Sequence, residues 1–281
     1  MEDVLQRFAD AVNRREWAAL SSLFKPSVQY NGSQIPVERL VEEQRQEIAS
    51  MPDFTLRVDN LVHPRPSSSE TQQLAARLLI TATVERPYRN VPPSAAPICF
   101  ARHMMWLFDE AGSIAEMDVI TDVDEMREQK PFIRPILPSP RPSPQSGAGA
   151  QQDLVRFYHD YIAAINAQTL EADLAKFCQP QVSWCERRLG LDEYRGLMED
   201  SFAAISGLAF RVRRLVVDAE MQQIAARIEF SGTPVRTYAG VGPSGGQVHF
   251  AEHVFYWLEQ GKIARVATVI DWETYRKQMG H

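Results

Sequence analysis

Phe250-Ala251-Glu252-His253-Val254-Phe255-Tyr256-Trp257-Leu258 decides the fold, because the chain carries it twice: an earlier copy reads Phe100-Ala101-Arg102-His103-Met104-Met105-Trp106-Leu107-Phe108. Each copy sets one histidine inside an aromatic, apolar run. A tight turn follows, Asp109-Glu110-Ala111-Gly112 or Glu259-Gln260-Gly261-Lys262, and then a second apolar strand that ends at Asp122 or Asp271. On a strand, successive side chains point to opposite faces. One face of the later copy therefore holds Phe250, Glu252, Val254, Tyr256 and Leu258, and the other Ala251, His253, Phe255 and Trp257. Both are mainly apolar, whereas a half-solvated strand alternates more sharply. We expect helices on one face of the sheet and the sheet of a sister domain on the other.

The duplication extends outward from these strands. Phe8-Ala9-Asp10-Ala11-Val12-Asn13 matches Tyr161-Ile162-Ala163-Ala164-Ile165-Asn166, Val28-Gln29-Tyr30 matches Val182-Ser183-Trp184, and Gln72 to Arg77 matches Gln222 to Arg227. Ordered matches over such a span mean two whole domains and not a solenoid of short repeats. The reading gives domains at 1–130 and 153–281, joined by a Pro/Ser/Gly-rich tether at 131–152 that is semi-extended through its prolines and flexible at its end. Within the first copy, helical spacing predicts helices at 2–13, 16–24 and 36–50, the last opened by Pro36. Strands are predicted at 28–30, 54–62, 74–84, 98–108 and 113–121. The second copy repeats the order, with helices near 153–166, 170–178 and 191–205. Helices first and antiparallel strands afterwards imply an α+β fold with the helices on one face of a sheet.

Composition narrows the function. Apolar residues make up 44% and charged residues 23% of 281 residues, with a net charge of −6, which describes a globular chain. There is no basic stripe of the kind that binds nucleic acid, and no apolar run near the ~20 residues that span a bilayer. Three cysteines without a CxxC motif point to a reducing, cytoplasmic setting.

The segment Gly232-Thr233, Gly240-Val241-Gly242-Pro243-Ser244-Gly245-Gly246, Gly261-Lys262-Ile263 and Asp271 resembles the SnoaL-like polyketide cyclases, within the superfamily that includes nuclear transport factor 2 and ketosteroid isomerase. Ser244 stands where the family pattern has threonine, and Ala264-Arg265-Val266 where it has Glu-His-Trp. The first copy is more eroded. The resemblance implies two cone-shaped α+β barrels, each of three helices against a curved antiparallel sheet, docked as an intramolecular pseudo-dimer. It implies cofactor-independent, metal-free cyclisation, isomerisation or dehydration. Asp271, and its copy Asp122, occupy the family's terminal-strand aspartate position.

Proton abstraction next to a carbonyl needs a base in a dry hollow and a donor for the developing oxyanion. The candidate pairs are His253 with Asp271 and His103 with Asp122. Each aspartate is also well placed to cap a following helix, and each histidine to be an ordinary core residue. Tyr30, Trp184, Tyr88, Tyr238, Trp106 and Tyr256 are candidate substrate contacts. Glu252 is a candidate in the second copy alone, since Arg102 takes its place in the first. His249-Phe250-Ala251-Glu252-His253 fits an H-x-x-E-H zinc pattern. On a strand, however, it would hold its histidines ~13 Å apart, so no metal is expected. The expected function is a cofactor-independent cyclase, isomerase or dehydratase acting on an apolar, carbonyl-bearing polyketide-type metabolite. The alternatives are a hydrophobic small-molecule binder and an interaction scaffold. A monomer and a further homodimer both remain open.

Overall fold

The computed structural model describes residues 2–64, 72–129 and 148–280. It divides into two units, Met1–Ser139 and Pro140–His281. In the first unit α1 (Glu2–Arg14) and α2 (Trp17–Ser21) precede β1 (Phe24–Tyr30), β2 (Ser33–Pro36) and α3 (Val37–Ser50). The long strands follow: β3 (Thr55–Val62), β4 (Gln73–Ala82), β5 (Ile98–Phe108) and β6 (Ile114–Thr121), closed by α4 (Val123–Glu128). The second unit repeats this as α5 (Ala148–Asn166), α6 (Leu170–Phe177), β7 (Cys178–Trp184), β8 (Arg187–Gly190), α7 (Leu191–Ala204), β9 (Ile205–Asp218), β10 (Gln223–Pro234), β11 (Val248–Glu259), β12 (Lys262–Ile270) and α8 (Trp272–Gln278).

Each unit is an α+β domain built on a six-stranded sheet, ordered β2-β1-β6-β5-β4-β3 in the first and β8-β7-β12-β11-β10-β9 in the second. The sheets are mixed and not purely antiparallel, because β1 runs parallel to β6 and β7 to β12. Sequence reading missed β2 and β8, four residues each, too short to show a period. It also extended the second helix over Phe24, which is already strand. Most of the expected tether, 131–147, lies outside the described residues. Its last part is helix, since α5 begins at Ala148; Ala150, Gln151 and Gln152 are good helix formers.

The helices cover one face of each sheet. In the first domain Leu5, Phe8 and Val12 of α1 share a core with Leu74, Ala76 and Leu78 of β4 and with Met104 and Trp106 of β5. In the second, Tyr158, Tyr161 and Ile165 of α5 share a core with Ile224, Ala226, Val254 and Tyr256. The register is set by close pairing, with Arg77 opposite His103 and Arg227 opposite His253. Two glycines are needed where they stand. Gln260 and Gly261, at φ 50° and 74°, make the two-residue link from β11 to β12, which requires positive φ at both central positions. At Gly232 a Cβ would lie 2.5 Å from Ile205 Cγ2, so a bare backbone is what lets β9 approach β10 there.

Candidate functional site

In the second domain the helix-facing side of the sheet carries a carboxyl on β11, Glu252. It shares strand parity with Val254 and Tyr256, both part of the helix-side core. Its Oε1 accepts a hydrogen bond from Thr268 Oγ1 on the neighbouring strand β12. Desolvation pushes its pKa up to about 7, against the smaller opposing effect of the Thr268 bond. Glu252 nevertheless keeps partial solvent exposure.

Several tyrosines lie within range of its charge. Tyr158 of α5, Tyr194 of α7, Tyr238 of the segment between β10 and β11, and Tyr256 of β11 all sense the Glu252 charge. The Tyr256 ring lies 5.5 Å from that of Tyr158 and 6.2 Å from that of Tyr161. The hydroxyls of Tyr161 and Tyr194 are 3.1 Å apart, and Tyr238 hydroxyl lies 2.7 Å from Ser201 Oγ. Burial raises the pKa of each of these phenols, so all are neutral hydrogen-bond donors at neutral pH. Tyr158 is fully buried, and the side-chain hydrogen bond it shares with Tyr256 opposes the upward push of burial on its pKa. Trp184, at the end of β7, packs half-buried against the same core.

The first domain holds a different chemistry at the same place. Arg102 replaces Glu252 and is buried, 6% exposed. Its Nη2 donates to Glu47 Oε1 of α3 and its Nε to Thr121 Oγ1, the latter at 2.9 Å. Tyr30 and Tyr88 lie close enough to feel both charges, and burial raises the pKa of each. Trp106 is enclosed, edge-on to Phe8 at 5.0 Å and to Phe108 at 6.2 Å.

Superposing the repeat on itself shows how the two sites diverged. Leu5, Phe8, Leu40 and Trp106 correspond to Tyr158, Tyr161, Tyr194 and Tyr256. Glu47, the counter-ion of Arg102, corresponds to Ser201, the partner of Tyr238; Val119 corresponds to Thr268, the partner of Glu252. The first site thus holds an internal ion pair, whereas in the second the carboxyl has no salt bridge among the described residues and lies within range of several phenols.

The histidines and aspartates of the expected pairs are placed as follows. His103 and His253 are fully buried, but strand alternation turns them to the face away from the helices, with Ala101 and Met105 or Ala251 and Phe255. His253 Nε2 lies 2.9 Å from Arg227 Nη1, and the residue opposite His103, Arg77, pairs with Asp59. The aspartates cap helices. Asp122 Oδ1 accepts from Glu125 N at 2.9 Å. Asp271 accepts from Thr274 N at 3.0 Å and from Thr274 Oγ1 at 2.6 Å. Of the residues expected to contact a substrate, Tyr30, Tyr88 and Trp106 lie in or against the helix-side core of one domain, and Trp184, Tyr238 and Tyr256 in or against that of the other. Sequence reasoning missed Tyr158, Tyr161, Tyr194, Ser201, Thr268 and Glu47. The signal for them was the exchange of apolar for phenolic residues between matched helix positions.

The family model for SnoaL-like polyketide cyclases matches residues 2–130 and again 152–279. The chain belongs to that family, as a tandem duplication with an α+β fold of the nuclear transport factor 2 type. Among solved structures, a SnoaL-like polyketide cyclase (Atu3018) from Agrobacterium tumefaciens is 36% identical over 45% of this chain and 98% of its own, with a TM-score of 0.43. AclR from Streptomyces galilaeus is 20% identical over 46% and 97%, TM-score 0.41. TsrD from Streptomyces laurentii is 21% identical over 48% and 98%, TM-score 0.41. No curated protein matches the chain.

Proposed function

We propose that the chain is a cofactor-independent enzyme that cyclises, isomerises or dehydrates a carbonyl-bearing, polyketide-type metabolite by acid–base chemistry, and that the second domain performs it. The observation that carries this reading is Glu252, a carboxyl whose pKa burial pushes up to about 7, within range of several neutral phenols. A base is most effective when its pKa lies near the working pH, since it is then both available and strong enough to take the proton. The carboxylate removes a proton from carbon next to the guest's carbonyl and returns it elsewhere in the product. Thr268 orients the carboxyl. Asp271 with His253, and Asp122 with His103, have no part in the proton transfer under this reading: the aspartates hold helices and the histidines serve the opposite sheet face. The first domain, its equivalent position occupied by Arg102–Glu47, is non-catalytic.

The test of the chemistry is deuterium uptake at the α-carbon of 2-tetralone in D2O, followed by NMR. The intact chain accelerates exchange over buffer, and Glu252→Gln abolishes the acceleration. No acceleration, with tetralone bound, favours a binding protein of the same fold.

A further inference from the structure

From one domain to the other, the hydroxyl beside the charged residue of the central strand has changed place. In the first domain Arg102 of β5 stands opposite Thr121 of β6 in the strand register, and its Nε donates to Thr121 Oγ1. Two residues earlier on β6 comes Val119. In the second domain the two positions are exchanged in kind. Ile270 stands opposite Glu252, and Thr268, the counterpart of Val119, supplies the hydroxyl from the diagonal position, which lies within reach across adjacent strands. On the other side Glu252 faces Ile228 of β10. A hydroxyl serves an arginine only as acceptor and an ionised carboxyl only as donor. Thr268 Oγ1 donates to Oε1 of Glu252. The second oxygen, Oε2, takes no hydrogen bond among the described residues and is not sealed from solvent.

We propose that Thr268 is the positioning residue of the reaction: by holding Oε1 it leaves Oε2 as the atom that takes the proton, and it sets the pH at which the carboxyl is ionised and ready to act. This rests on the reading of Glu252 as the base. The C–H bond next to the guest's carbonyl breaks, its proton goes to Oε2, and its electron pair moves onto the carbonyl oxygen. The same oxygen then returns the proton. A hydrogen bond to the charged form favours that form, and the Thr268 bond is the influence that opposes burial at Glu252. The titratable groups within range of the Glu252 charge are phenols: Tyr158 of α5, Tyr194 of α7, Tyr238 of the segment between β10 and β11, and Tyr256 on β11 itself. Burial raises the pKa of each, so none ionises near pH 7. No salt bridge reaches Glu252 among the described residues. The working pH of the base is therefore set by this one hydroxyl.

The experiment follows exchange of 2-tetralone in D2O by the intact chain from about pH 5 to about pH 9, since the pH dependence of the rate reports the base. The buffer rate is subtracted, and the variants are Thr268→Val, Thr268→Ala, Thr268→Ser and Glu252→Gln. Valine fills nearly the space of threonine, and the first domain carries it at this place as Val119. The wild-type rate rises with a midpoint near 7. In Thr268→Val the midpoint moves up by about one pH unit or more, and exchange at neutral pH falls about fivefold or more, as the loss of a hydrogen bond to a charged group requires. Thr268→Ala shifts the same way. Thr268→Ser, which keeps the hydroxyl, keeps the wild-type midpoint. A merely structural threonine would change the melting temperature and leave the midpoint where it is. An unshifted or lowered midpoint in folded Thr268→Val overturns the assignment, as it does in Thr268→Ala should the valine variant not fold. So does an equal upward shift in Thr268→Ser, which would trace the effect to the lost methyl. If exchange still depends on Glu252 in any of these cases, the base survives and only the role of Thr268 falls. If Glu252→Gln exchanges tetralone as fast as the wild type, both fall.

Discussion

Arg102 of the first domain and Glu252 of the second occupy the same position in the repeat, on strands β5 and β11, and their surroundings changed with them. Arg102 has Glu47 as counter-ion and Thr121 as a second acceptor. Glu252 has Thr268, and where Glu47 would be it has Ser201. One ancestral site became a closed ion pair and the other a desolvated acid. The position matters because it is the point at which the central strand meets the helices.

The ion pair is predicted to hold the first domain together without serving the reaction. Arg102→Met leaves Glu47 buried and unpaired, which costs on the order of 3–5 kcal/mol. Adding Glu47→Leu restores most of that loss, because two apolar side chains replace the pair without stranding a charge. Chemical denaturation of the single and double variants measures this. Exchange of 2-tetralone by the refolded double variant stays at the wild-type rate.

Capping is predicted to be the whole contribution of Asp271. Asp271→Ala loses the bond from Thr274 N and the one from Thr274 Oγ1, and costs about 1 kcal/mol, read as a lower melting temperature. Exchange at saturating tetralone remains within about twofold of wild type. A drop of a hundredfold with the fold intact returns the aspartate to the chemistry.

Glu252 also sets how stability depends on pH. Its folded pKa of about 7 lies above the ordinary 4.5, so folding favours the protonated form. Below about pH 4.5 the group is protonated in both states and its contribution is fully present. As pH rises from there through 7 the unfolded chain ionises first, and that contribution is lost, in all roughly 3 kcal/mol at 1.36 kcal/mol per pKa unit. Glu252→Gln does not ionise. The variant and the wild type therefore differ little at pH 4, and the variant gains relative to the wild type up to pH 8. Equal pH profiles would place Glu252 in ordinary solvent.

Gly232 tests the frame behind the site. Gly232→Ala drives a Cβ against Ile205 Cγ2 and the backbone of Ser206, an overpacking that costs typically 1–3 kcal/mol. It should lower the melting temperature and loosen β9 against β10 by hydrogen exchange.

The architecture was legible in the sequence because duplication repeats every periodic signal: the strand at 98–108 and the one at 247–258 confirm each other. The four-residue strands β2 and β8 were not legible, since four residues cannot show alternation. Glu252 was legible as an oddity, a charge on an apolar face. The histidines drew more weight because they recur, yet a duplicated structural residue recurs as faithfully as a catalytic one. Strand parity already separated His253 from Tyr256; what it could not show was which face the helices take. The phenols on α5 and α7 escaped notice because an amphipathic helix tolerates Leu, Phe and Tyr alike at its buried positions. Only the fold brings Tyr158 and Tyr194 within range of the Glu252 charge.

The account turns on the protonation of a single side chain. Isotope-edited NMR of 13C-carboxyl glutamate, with Glu252→Gln to assign the resonance, reads it directly. The account predicts that the Glu252 signal titrates near pH 7 in the folded chain and shifts when 2-tetralone is added. A signal that titrates near 4.5 and ignores the ketone would contradict it.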